Sequence, residues 1–99
     1  MLYVIVSEDI TNSMPLRANA RPRHIERLEK LRDQGKLIIA GPCPAIDSSD
    51  PGPNGFTGSV VIAEFDSLKE ARQWADSDPY VEAGVYSSVA IKPFKLVLP

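Results

Sequence analysis

Residues 59–84, SVVIAEFDSLKEARQWADSDPYVEAG, change character twice and set the order of elements. The opening stretch, 59–66, is β-branched and aromatic-rich and reads as a strand. Ser67-Leu68-Lys69-Glu70 is a capping box, serine at the cap and glutamate three residues later. It opens a helix through about Asp76, with Leu68, Ala71, Trp74 and Ala75 on one side. Asp78-Pro79 marks a second, short helix, with aspartate as cap and proline in first position. Gly84 ends that turn.

Outward from there, residues 41–58 (GPCPAIDSSDPGPNGFTG) hold four of the six glycines and four of the nine prolines. They read as a long loop, of a kind that is usually functional or mobile. Leu37 to Ala40 is a short apolar strand. Residues 22–34 hold strong helix formers, with Pro22 in the first turn and Gly35 as the stop. Residues 10–20 mix turn formers with apolar residues and read as a loop. Residues 2–9 (LYVIVSED) form the first strand. Val85 to Leu98 supplies the last, with Pro93 marking an edge or a bulge. The order β-α-β-β-α-(short helix)-β predicts an α+β fold. It is a ferredoxin-like sandwich, a four-stranded antiparallel sheet with its helices on one face.

Both phases of the strands are apolar. Leu2, Val4 and Val6 alternate with Tyr3 and Ile5; Val60 and Ile62 alternate with Val61, Ala63 and Phe65. A one-sided sheet would show polar residues on its open face. The expected cover is a second copy of the chain, sheet against sheet, giving a homodimer.

Composition narrows the function. Ninety-nine residues suit a single domain, 1–99. The net charge of -2 argues against a nucleic-acid binder. Gly55-Phe56-Thr57-Gly58 enters a strand where an RNA-recognition domain carries its aromatic motif, but no basic residue precedes Gly55. One cysteine rules out an internal disulfide and all but excludes a cysteine zinc site; with one histidine, any metal site would need mainly carboxylates, and no metal is expected. No apolar run approaches a membrane span and no secretory signal is read, so no membrane association is expected and the cytoplasm is the expected location.

The single histidine, His24, falls in one helical arc with Leu28 and Leu31, on the buried face. It is either a core-edge histidine with one satisfied hydrogen bond or a general acid/base facing a pocket. Such a base needs an orienting acid. Asp47, Asp50, Asp76 and Asp78 are the candidates, and Asp78 is the most constrained. Capping alone would explain Asp78, but one oxygen can cap while the other meets an imidazole. Ser59 begins its strand on the face of Val61 and Ala63, where its hydroxyl could bind substrate or simply bond backbone. No nucleophile elbow is present, which excludes a serine hydrolase of that type. Cys43, between two prolines, is a weak nucleophile candidate with His24 as activator. Seven of the eleven basic residues lie between Arg17 and Lys36. They read mostly as a solvated helix face, with Arg17, Arg21 or Arg23 as candidates for drawing in an anionic substrate.

Several stretches together resemble the YCII-related (YciI-type) proteins. They are Met1 to Ile5, Arg21-Pro22-x-His24, Leu37 to Asp47, Gly55 to Phe65, Trp74-Ala75, Asp78-Pro79-Tyr80 and Ala83 to Tyr86. The resemblance runs over nearly the whole chain. It implies a ferredoxin-like fold that dimerises into an α/β barrel, and an active-site His-Asp pair at His24 and Asp78 with Ser59 as pocket neighbour. The architecture it implies is similar to muconolactone isomerase. One relative in that family is a dehydrochlorinase acting on a chlorinated hydroxyhydroquinone. Cys43 is outside the family pattern.

The expected function is therefore a dimeric, cofactor-free enzyme of isomerase or lyase type acting on a small organic molecule. His24 would be general acid/base and Asp78 its orienter, with Ser59 in the pocket and residues 41–58 covering it. The alternative is a non-catalytic dimeric module that binds a small ligand or a protein; an accessory pairing domain is a third reading.

Overall fold

Strand pairing follows the alternation of the sequence. The computed structural model describes residues 1–99. Its elements are β1 (Leu2–Asp9), α1 (Met14–Asp33), β2 (Leu37–Pro44), a 3-10 turn (Gly52–Asn54), β3 (Phe56–Glu64), α2 (Leu68–Asp76), α3 (Pro79–Glu82) and β4 (Tyr86–Phe94). The strands form one sheet in the order β2-β3-β1-β4, every neighbour antiparallel. This is the ferredoxin-like α+β sandwich expected from the sequence. No helix is long and apolar enough to cross a membrane.

Register sorts the side chains by face. Tyr3 pairs with Ala63, Ile5 with Val61 and Ser7 with Ser59. These rows are buried beneath the helices. Leu28 and Leu31 of α1 and Ala71 and Ala75 of α2 complete the core over them. A smaller cluster of Ala20, Tyr80 and Val85 sits under α3. The intervening rows, Val4 with Ile62 and Val6 with Val60, form the opposite face. That face is apolar and partly open: Val6 is 42% and Ile39 53% exposed. In β2 a bulge lies between Leu37, opposite Ala63, and Ile39, opposite Ile62. The extra residue sends Leu37 inward and Ile39 outward.

Several expectations are corrected. The helix α1 starts at Met14, so residues 14–20 are not a loop. The proline in its first turn is Pro15, while Pro22 lies inside the helix. The carbonyl that Pro22 leaves without a partner belongs to Ala18, and both positions are exposed to water. The strand β2 runs on through Gly41, Pro42, Cys43 and Pro44. Its outer edge is unpaired, which is where a sheet accepts proline. β3 begins at Phe56, so the 41–58 loop shrinks to the hairpin tip, 45–55. β4 stops at Phe94, with Pro93 in an edge strand, and Leu68 is exposed on α2.

At Gly58 the backbones of β1 and β3 leave no room for a side chain. A Cβ there would overlap the carbonyl oxygen of Ser7. We expect Gly58→Ala to lower the unfolding free energy by about 2–3 kcal/mol, read from urea denaturation midpoints at unchanged slope.

Candidate active site

Local structure places each side chain of the site. The stripe Arg17, Ala20, His24, Leu28 and Leu31 is the buried face of α1, spaced three or four residues apart. His24 is thus turned toward the sheet, as its spacing from Leu28 and Leu31 predicts. Asp78 precedes Pro79 with extended backbone and caps α3, its Oδ1 accepting the Tyr80 N–H at 2.8 Å.

The two meet. Nδ1 of His24 lies 2.9 Å from both carboxylate oxygens of Asp78. An ionised carboxylate only accepts hydrogen bonds, so Nδ1 carries the proton. Nε2 is then the basic nitrogen of the neutral ring, and it has no protein partner. Tyr80 stacks on the imidazole, centroids 4.0 Å apart and planes 12° from parallel, and Tyr86 meets Tyr80 edge-on. Arg27 approaches Asp78 at 3.5 Å from the other side. It lies over the Trp74 ring and donates to the Trp74 carbonyl at 2.6 Å. Burial makes the Arg27 guanidinium easier to deprotonate than usual, and the Asp78 charge offsets only part of this.

A cavity of about 190 Å³ opens beside the dyad. Ile25, Leu28, Ala40, Pro42 and Val61 form its apolar wall. Its polar lining is His24, Ser59, Tyr80, Arg17 and Arg21. Burial keeps the Tyr80 phenol protonated to higher pH than usual, although Arg17 and Arg21 pull the other way.

A second buried network stands behind Ser59. Arg17 donates to both carboxylate oxygens of Asp9, at 2.6 and 3.0 Å. Its Nη2 also donates to the Gly58 carbonyl and to Ser59 Oγ, each at 2.9 Å. Ser13 donates to Asp9 at 2.6 Å. The Tyr86 hydroxyl donates to Ser59 at 3.0 Å. The Arg17 and Asp9 side chains are 7% and 1% exposed, so this is a buried ion pair. Burial works against the Arg17 charge, but the hydrogen bond and charge of Asp9 outweigh it and the guanidinium holds its proton more tightly than usual.

His24, Asp78 and Ser59, read from the sequence, therefore border one cavity or its immediate support. Asp47 and Asp50 lie exposed around the hairpin tip, and Asp76 faces Arg72. Cys43 does not join His24: Pro42 lines the cavity, and the next residue of the strand alternates to the opposite face. Nor does the tip at 45–55 cover the site, since only Gly41 and Pro42 of the 41–58 segment line the cavity. Arg17 is committed to Asp9 rather than presented to a substrate. Asp9, Ser13, Tyr80 and Tyr86 were not singled out. Asp9 was within reach, because it continues the inward phase of Tyr3, Ile5 and Ser7. No group of three or more histidine, cysteine or carboxylate side chains is placed to hold a metal ion.

A YCII-related domain model matches residues 1–95. Protein YciI of Escherichia coli O6:H1 is 59% identical over 97 residues, 98% of this chain and 99% of that one. The derivative of benzaldehyde biosynthesis cluster protein C of Emericella nidulans is 33% identical over 89 residues, 87% of this chain and 91% of that one. Among solved structures, 5-chloro-2-hydroxyhydroquinone dehydrochlorinase of Burkholderia phenoliruptrix, in complex with 2,5-dihydroxybenzoquinone, superimposes with a TM-score of 0.84. The two are 26% identical, and the match covers 96% of this chain and 94% of that one.

The network has a pH signature. Burial, partly opposed by the Ser59 hydrogen bond, pushes the Tyr86 phenol from 10.0 up to about 12. Below pH 10 both folded and unfolded chains keep the proton, and the contribution to stability is full. Between pH 10 and about 12 only the unfolded chain releases it, so stability falls as pH rises. Ultraviolet titration should show one tyrosine ionising near 12, absent in Tyr86→Phe.

Proposed function

We propose that this chain, which belongs to the YCII-related domain family, is a small acid–base enzyme that moves a proton on a ring-sized organic molecule. The observation that carries the reading is the dyad: one imidazole nitrogen held 2.9 Å from Asp78, the other free at a cavity. Nε2 of His24 removes a proton from an acidic carbon or hydroxyl of the bound molecule. The imidazolium that forms is stabilised by Asp78, which stays ionised. Returning the proton elsewhere on the molecule gives an isomerisation. Losing a leaving group from the adjacent carbon gives an elimination. The dehydrochlorinase among the structural neighbours supports the second outcome, and the neighbour's quinone complex supports a ring as substrate. An apolar cavity of roughly 150 Å³ holds benzene, so the volume here suits a ring with small substituents. The cytoplasm is the proposed place of work.

The working form is a dimer through the open sheet face. Val4, Val6, Ile39, Val60 and Ile62 leave that face apolar with no element of the chain upon it. A second sheet is the cover that buries it with matching shape. Sedimentation should report a two-chain particle, and Val6→Lys should reduce it to one chain; a one-chain wild type overturns the assembly.

Substituted hydroquinones and cyclic enols, incubated in heavy water or carrying a halide leaving group, test the chemistry. Deuterium uptake or halide release should fall by about a hundredfold to ten-thousandfold in His24→Asn. Asp78→Asn should reduce kcat severely while the fold persists. Wild-type turnover matched by His24→Asn would sink the reading, and ring binding without any turnover would favour a binding module.

A further inference from the structure

The arginines are not equivalent. Arg17 faces Asp9, Arg27 faces Asp78, Arg32 faces Glu29 and Asp33, and Arg72 faces Asp76. Arg21 lines the cavity and makes no ion pair. Its charge is felt at the Tyr80 phenol, on the polar side of the same cavity. Arg23 is also unpaired, but it does not line the cavity. Among the three basic residues singled out as candidates for an anion, only Arg21 combines an uncommitted charge with a place at the site.

Ser59 adds a donor. Its oxygen accepts from Arg17 Nη2 and from the Tyr86 hydroxyl. With the Tyr86 hydroxyl donating to it, Ser59 can turn its own proton into the cavity instead of toward the Tyr86 oxygen. Ser59 lines the cavity, so this proton is available to a bound molecule. The apolar lining, Ile25, Leu28 and Val61, offers only carbon.

We infer that the cavity selects ring-sized organic acids, with Arg21 holding the anionic group by charge, Ser59 donating to it, and the ring lying on the apolar wall. The inference rests on the proton-transfer reading and names the substrate class for that site. A fixed cation at the cavity also favours the negative charge that develops when His24 removes a proton. Arg21 is then both the specificity determinant and the electrostatic partner of the enolate or phenolate.

Benzoate and its neutral counterpart benzyl alcohol test this by calorimetric titration, with amide shifts at Gly41 and Val61 reporting the location. Benzoate should bind more tightly than benzyl alcohol and weaken with salt. Arg21→Gln should weaken benzoate about tenfold and leave benzyl alcohol unchanged. Arg23→Gln should alter neither, and Arg21→Lys should restore most of the benzoate affinity. Absence of benzoate binding, equal loss for both probes, or an equal effect of Arg23→Gln overturns the inference. Turnover plays no part in these measurements, so the anion subsite and the His24 chemistry can fail independently.

Discussion

The buried pair of Asp9 and Arg17 is the constraint on which the rest of the site hangs. It joins the end of β1 to the first turns of α1, eight residues on, and both to the start of β3, more than 40 residues further along the chain. Ion pairs of this kind add little net stability compared with well-packed apolar side chains, because desolvation is costly. Removing one partner alone, however, typically costs about 3–5 kcal/mol, since a lone charge stays behind. The pair therefore acts more as a locator than as a glue. It sets the rotation of α1 over the sheet, and seven residues on, His24 faces the same way as Arg17.

Asp78 solves a different problem with the same economy of parts. One carboxylate accepts from the backbone at the head of α3, accepts from His24, and faces Arg27. The cap fixes the carboxylate to the backbone. The carboxylate fixes the tautomer, and the stacked Tyr80, only two residues away, fixes the plane of the ring. An imidazole whose orientation is set by backbone geometry loses little entropy when it meets a bound molecule. Arg27 places a positive charge 3.5 Å from the same carboxylate.

Much of this was legible in the residues. Strand alternation revealed the two faces, and the spacing of His24, Leu28 and Leu31 turned the histidine inward. Asp78-Pro79 announced a cap. The resemblance to a known family singled out the dyad more firmly than spacing could. What stayed hidden did so for physical reasons. Proline is read locally as a helix start, and Pro22 masked the true start at Met14, ahead of Arg17 and Ala20 in the buried stripe. Without those residues on the helix, the pairing of Arg17 with Asp9 could not be seen. Likewise Gly41, Pro42 and Pro44 carry loop composition, yet an edge strand tolerates them because one side of its backbone has no partner.

The sheet divides the labour of the molecule at single-residue resolution. Ser59 and Pro42 look toward the cavity and Ser7 lies on the same buried face, while their neighbours Val6 and Val60 belong to the open face. Substitutions can thus tune one side without disturbing the other. Insertions and deletions cannot. One residue gained or lost within β1 or β3 would exchange the two sets wholesale, turning valines toward the cavity and serines onto the open face. The places that can absorb a change of length without this exchange are the hairpin tip at 45–55 and the chain ends, while the strand cores accept replacement alone.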